Sequence, residues 1–205
     1  MPKIRNIILI AILLVVAITA CSKSPETARK ELGQMNIDYT DDSFFNYVER
    51  GDKVVVELFL TAGKSPNLRE RDSGYSLLHS AAFEGYDEIV KLLIAKGADV
   101  NAKGKDGWTP LMSAVTKGKN LETVKILLNK GADINAAITD GKFSGKTPLI
   151  LAVSKKKEYR NPELVEALLN KGGVNDKNLR ISLLIAKVIG YTEAVDILKK
   201  AGAKE

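Results

Sequence analysis

The sequence predicts an all-α solenoid: about five helix–turn–helix repeats joined by β-turns and preceded by a capping helix. Three observations carry this. The stretch from Ser76 to Lys103, SLLHSAAFEGYDEIVKLLIAKGADVNAK, has counterparts four more times along the chain. Gly63, Gly97 and Gly131 stand at equal intervals, and self-similarity at such a period marks stacked supersecondary units. Ahead of these glycines lie apolar residues three and four apart, as in Ile89, Leu92 and Leu93, the pattern of a helix with one buried face. Helices of about ten residues are marginal alone in water, so neighbouring copies must cover one another's stripes.

Composition fits such a protein. With 205 residues, 45% hydrophobic and 27% charged, the chain can bury a core for one or two domains and reads neither as disordered nor as a multi-span membrane protein. The formal charge of +6 falls to +4 once Lys3 and Arg5 are set aside with the N-terminal segment. Runs of one sign are limited to Lys155, Lys156 and Lys157, which argues against a nucleic-acid-binding arm.

At the start of the chain, Lys3 and Arg5 precede an uncharged run from Ile7 to Ile18. A run of about twelve is short for a bilayer-spanning helix and suits the core of an export signal. The residues Ile18-Thr19-Ala20-Cys21 resemble the lipobox of bacterial lipoproteins. That resemblance implies a signal peptide over 1–20, cleavage before Cys21, and joining of its thiol to diacylglycerol with acylation of the new amine. The alternatives are an ordinary cysteine after simple cleavage, or an uncleaved anchor. Cys21 is the chain's only cysteine and closes the apolar run, so no internal disulfide exists. Lipid chains would tether by burying methylenes at about 0.8 kcal/mol each. In enteric bacteria an aspartate after the cysteine favours the inner membrane. Ser22 stands there instead, so the resemblance implies an envelope protein on the periplasmic face of the outer membrane.

Residues 21–25 read as a short polar linker and 26–40 as an N-terminal cap. Ala28, Leu32 and Met35 share one side of a helix at helical spacing, with Ile37 and Tyr39 completing the end. Repeats follow at about 41–71, 72–104, 105–138, 144–176 and 178–205. In the second repeat, SLLHSAA, Gly85 and IVKLLIAKGADVNA resemble the ankyrin repeat, whose pattern is TPLHxAA, a glycine, and a second helix closed by GADVNA. Ser76 is placed to cap the first helix, and Gly85 to end it in the left-handed conformation. The first repeat places Val55, Val56, Leu58, Phe59 and Leu60 on its second-helix stripe but writes bulkier residues, FFNYVERG, in its first helix. The third carries the whole turn, DGWTPL, with Thr109 as cap and Pro110 at the first helical position. The fourth is stretched, since Gly131 and Gly172 stand further apart than the common period. About four of the extra residues enter between Asn135 and Gly145, and about three between its helices in SKKKEYRNPE. Loops absorb such length and stripes do not. The fifth copy starts near Leu179 and lacks the Asp-Gly turn.

Little in this chain suggests chemistry. His79 is the only histidine, so a histidine zinc cluster or relay cannot be assembled. At the TPLH position its imidazole is expected to bond backbone near the turn. Asp99 and Asp133 belong to GADxN turns, where such side chains bond their own backbone. No phosphate-binding glycine loop follows a strand pattern. The reading is therefore a non-enzyme with no cofactor, no metal, no small-molecule substrate and no nucleic acid.

The ankyrin resemblance implies a concave platform of first helices and turn tips that binds another protein. Here that surface comprises Ser80, Phe83, Glu84, Ser113, Thr116, Lys117, Ser154 and Lys155, with tips at Tyr75, Lys105 and Trp108. Tyr75 and Trp108 have packing at the turn as the alternative role, and the lysine run at 155–157 has simple solvation. The expected function is a lipid-tethered scaffold that holds or regulates a partner in the bacterial envelope. The alternative is an antidote or inhibitor of a toxin or hydrolase reaching the envelope.

Overall fold

The computed structural model describes residues 23–117 and 120–204. The expected signal peptide over 1–20 and the expected lipid acceptor Cys21 lie outside the described residues.

Within them the chain forms eleven α-helices and no strands. These are α1 (Pro25–Gln34), α2 (Asp41–Glu49), α3 (Lys53–Thr61), α4 (Leu77–Glu84), α5 (Asp87–Ala95), α6 (Pro110–Lys117), α7 (Leu121–Asn129), α8 (Pro148–Val153), α9 (Pro162–Asn170), α10 (Asp176–Val188) and α11 (Thr192–Lys200). After α1 the helices pair as α2/α3, α4/α5, α6/α7, α8/α9 and α10/α11. First helices stack on first helices, α2 to α4 to α6 to α8 to α10. Second helices stack likewise, and α1 extends that layer by packing on α3. The result is the two-layer solenoid that the repeat pattern predicts.

The stripes supply the core. Phe59, Leu93, Leu127, Leu168 and Leu198 each stand four positions before a closing glycine, and all five are fully buried. Burying a Leu or Phe contributes about 1.5 to 3 kcal/mol relative to exposure, so this one register position forms a spine along the array. Polar caps set the helix starts. Thr40, Asp52, Asn161 and Asn175 accept an amide of the first turn at 3.1, 3.1, 3.0 and 2.8 Å, which satisfies donors that the helix itself leaves open.

At the N-terminal end Ala28 and Leu32 are buried as expected, but Met35 is 51% exposed. The chain reverses at Asn36, whose φ is 56°, and the Ile37 amide bonds the Leu32 carbonyl at 2.9 Å. This Schellman-type stop turns Met35 outward and brings Ile37 in as the third apolar contact. Arg29 Nε and the Tyr39 hydroxyl both donate to the Ala62 carbonyl, at 3.1 and 2.8 Å, and so close the end of α3.

Three sets of bonds run between repeats. Asn67, Asn101 and Asn135 each donate to a glycine carbonyl of the next repeat, Gly97, Gly131 and Gly173, at 2.9, 3.0 and 2.6 Å. The same side chains accept the amides of Asp99, Asp133 and Asn175 at 2.8, 2.7 and 3.1 Å. On the opposite edge, the Tyr86 hydroxyl reaches the Glu49 carbonyl at 3.2 Å, and the Asn120 amide reaches the carbonyls of Ala82 and Phe83 at 3.0 and 2.8 Å. Open carbonyls at first-helix ends are thus covered by the following repeat. Gly51 and Gly85 are required there twice over: their φ values are 76° and 81°, and a Cβ would meet Tyr86 at 2.8 Å or Asn120 at 2.6 Å. The third set joins the projecting turns, or fingers, between repeats. The Lys105 amide bonds the Ser73 carbonyl at 2.9 Å, and the Thr139 amide bonds the Asp106 carbonyl at 2.7 Å.

The fourth repeat keeps both layers. Its first insertion forms a short 3-10 turn at Gly141–Phe143 and its second forms another at Lys157–Tyr159. Helix α8 has six residues where α4 and α6 have eight, so part of the second insertion is helix given up to loop. Arg160, at the end of that loop, caps α10 with bonds to the carbonyls of Gly190 and Ile189 at 3.1 and 2.7 Å and lies over the Tyr191 ring at 4.8 Å.

Candidate protein-binding face

Fingers and first helices present one continuous face, and His79 shows how it is held. Its Nδ1 accepts the Ser76 amide at 3.0 Å within a reciprocal capping box, while Nε2 lies 3.0 Å from the Trp108 carbonyl of the next finger. With Nδ1 accepting, Nε2 carries the proton. Burial pushes this imidazole down to about 4, against the smaller opposing pull of the Trp108 carbonyl. The expectation of a backbone bond near the turn therefore understates the role, since His79 joins two repeats.

Tyr75 is half-buried. Its ring stacks on His79 with centroids 5.0 Å apart, and its hydroxyl donates to Asp106 Oδ2 at 3.3 Å. Burial, followed by the Asp106 charge, raises the phenol to about 12. Trp108 is half-buried as well. Its amide bonds Asp106 Oδ1 at 2.9 Å, and its indole Nε1 donates to Ser113 Oγ at 3.0 Å. The indole lies edge-on to Phe143 at 6.2 Å. Ser113 corrects the expectation that it faces a partner: it is 4% exposed, because the indole folds back over α6 and uses its hydroxyl as acceptor.

Among the remaining residues, Lys117 and Lys155 reach across to the preceding repeat. Phe83 is 39% exposed, and the Lys117 amine sits 4.7 Å above its ring while bonding Glu84 at 2.5 Å. Phe83, Glu84 and Lys117 therefore make one cluster across α4 and α6. Thr116 donates its hydroxyl to the Met112 carbonyl at 2.8 Å, and Ser154 does the same to Ile150 at 2.5 Å. The Lys155 amine crosses from the fourth repeat to bond the Thr116 carbonyl. Burial lowers that amine to about 8. Lys105 is exposed at its finger tip, and Ser80 is half-buried beside Phe83.

These residues line two adjoining depressions. One, of about 300 Å³, is bounded by Tyr75, Ser80, Phe83, Trp108 and Ser113 with His79 at its base. The other, of about 440 Å³, has Trp108, Thr116, Ser154 and Lys155 on one side and Phe143, Lys146 and Tyr159 on the other. Trp108 is the wall they share. Sequence alone does not find Phe143 and Tyr159, because inserted loops carry no repeat register to place them; Lys146 is legible in principle, since it precedes Thr147-Pro148 as Trp108 precedes Thr109-Pro110. Asn67, Asn101 and Asn135 are legible in principle, since they recur with the period of the closing glycines, four positions after each. Asp99 and Asp133 do bond locally, to the amides of Asn101 and Asn135 at 2.9 Å each, whereas the asparagines act between repeats. Among the described residues no cluster of His, Cys, Asp and Glu could hold a metal ion, and no helix is long and apolar enough to cross a membrane.

Comparison with known families agrees with the geometry. Residues 44–138 match a model for ankyrin repeats in three copies, and residues 144–180 match a model for the single ankyrin repeat. Together they cover nearly two thirds of the chain. No curated protein matches it.

Proposed function

Because this chain belongs to the ankyrin-repeat proteins, whose stacked repeats are protein–protein interaction modules, we propose that it is a membrane-tethered scaffold of the bacterial envelope. Lipid on Cys21 holds it at the membrane, and the face of fingers and first helices holds or regulates a partner protein. The observation that carries this reading is the pair of depressions meeting at Trp108, flanked by the exposed Phe83 and by Lys117 and Lys155. Partly exposed aromatics over-contribute to binding energy at protein interfaces. Stacked repeats hold such a face rigid, which lowers the entropy cost of association.

Capture of partners from detergent-solubilised envelope tests the face. Phe83→Ala with Trp108→Ala is expected to weaken capture at least tenfold, or about 1.4 kcal/mol, with the helical circular-dichroism signal unchanged. Undiminished capture by the folded double variant overturns the face as the binding site. Mass spectrometry of the mature N-terminus tests the tether: acylation at Cys21, lost in Cys21→Ala, supports it, and an unacylated wild-type chain starting elsewhere refutes it. Deletion separates a scaffold from an inhibitor, because loss of a scaffold lowers its client's activity and loss of an inhibitor releases a toxic one.

A further inference from the structure

The two insertions of the fourth repeat are separated in sequence by α8, yet they meet at one groove. Phe143 comes from the first insertion and Lys146 from the turn just after it, Lys155, Lys156 and Tyr159 come from the second insertion, and Trp108 of the third finger forms the shared wall. Phe143 and Tyr159 are 41% and 54% exposed, a large aromatic surface to leave in water on two neighbouring loops. The groove has about 440 Å³ of space, within the range of sites that enclose a side chain or small ligand. Its lining includes three lysines and no carboxylate. The Lys146 amine lies 5.0 Å from the centre of the Phe143 ring, and the Lys155 amine is held at the Thr116 carbonyl. A cation therefore stands against an aromatic face with further lysines beside it, an arrangement complementary to an acidic chain that also carries an apolar side chain.

Resting on the reading that this face binds a protein, we propose that the groove receives an extended acidic segment of the partner, with one aromatic or branched apolar side chain seated among Trp108, Phe143 and Tyr159 and adjacent carboxylates paired with Lys146, Lys155 and Lys156. An extended segment fits because a second depression, beside Phe83, lies directly across the Trp108 wall from the groove. The other titratable groups lining the groove are Lys146, Lys156 and Tyr159, with no carboxylate among them. A bound carboxylate would supply the counter-charge that the half-buried Lys155 ammonium lacks. In the free protein burial lowers that amine to about 8, so affinity is expected to be full well below pH 8 and to fall as pH rises through and above it.

The test uses the full chain in detergent on an array of short peptides that vary in net charge, with and without a central Phe or Leu. Peptides with carboxylates around the apolar residue are expected to bind at least tenfold better than the same peptides with Glu→Gln. Lys146→Glu with Lys156→Glu, and separately Phe143→Ser with Tyr159→Ser, are expected to lose that preference at least tenfold; both pairs alter connections rather than helix stripes. Equal binding of Gln and Glu peptides, or preference for basic ones, overturns the proposal. So does acidic binding that survives both loop variants. Phe83→Ala separates the two readings: if it abolishes envelope capture while the loop variants capture normally, the face stands and the groove fails. If neither class of variant affects capture, both fail.

Discussion

The third repeat and the fourth use the same two layers and differ in the length of their connections. Gly97 to Gly131 spans the common period, and Gly131 to Gly172 exceeds it. The junctions on either side are nevertheless alike. Asn101 clamps Gly131 and Asp133, and Asn135 clamps Gly173 and Asn175, with bonds between 2.6 and 3.1 Å. Leu127 and Leu168 occupy the same register position with no exposure. The array's geometry is therefore set by stripes and by residues next to the closing glycines, and the connections between them are free to acquire other work. In the third repeat those connections are minimal. In the fourth they build a groove wall and, through Arg160, a cap for the next helix.

The sharpest way to break this comparison is to remove the spine. Leu127→Ala and Leu168→Ala are each expected to cost about 2 to 5 kcal/mol in urea unfolding, as buried leucines do. A loss below about 0.5 kcal/mol at Leu168, within the usual range for surface changes, would mean that the inserted repeat is not an equal structural copy. Each repeat contacts only its neighbours, so the central Leu127→Ala should also split one unfolding transition into two.

Acid should distinguish the second repeat from the third and fourth. Where the second has His79, the others place Met112 and Ile150 at the matching helix position. The folded protein holds His79 near 4, below its ordinary 6.5. Between those values the unfolded chain binds more protons, so stability is complete above about pH 6.5 and falls as pH drops toward 4. The loss approaches about 3 kcal/mol. Replacing His79 with Gln should flatten this slope in denaturation measured across that window, and an unchanged slope would assign it to carboxylates.

The clamps come next. Asn101→Ala and Asn135→Ala each remove a donor and an acceptor between repeats, an expected loss of about 1 to 2 kcal/mol, measured as urea midpoints at constant slope. Similar losses at both sites would sharpen the claim that insertions leave the junction untouched. Arg160→Ala should have the smallest global effect, about 1 kcal/mol, since its bonds are at the surface. Hydrogen exchange in α10 and α11 should accelerate there, with α4 to α7 unaffected.

The distribution of function and frame explains what can be read from residues alone. Helix pairs, closing glycines and the buried stripe leucines recur, so the sequence shows them repeatedly, and the solenoid follows from Ile89, Leu93, Val124 and Leu127. Caps such as Asn161, set directly before Pro162, are similarly open to inspection. Helical spacing misplaces Met35 because it cannot see the reversal at Asn36 that substitutes Ile37. It misplaces Ser113 because the indole of Trp108, five positions earlier, folds back over that hydroxyl. Phe143 and Tyr159 cannot be paired at all: their meeting depends on where two irregular loops land after α8 has stacked.

Trp108 is the chain's only tryptophan, and its position gives the protein an internal optical probe. The indole donates to Ser113, touches Phe143 edge-on and separates the two depressions. Selectively excited emission therefore reports one repeat out of five, whereas far-ultraviolet dichroism averages over every helix. Coincident melting of the two signals would show that the array unfolds as a unit. A fluorescence transition displaced from the dichroism would place the third repeat first or last to open, without any label being attached.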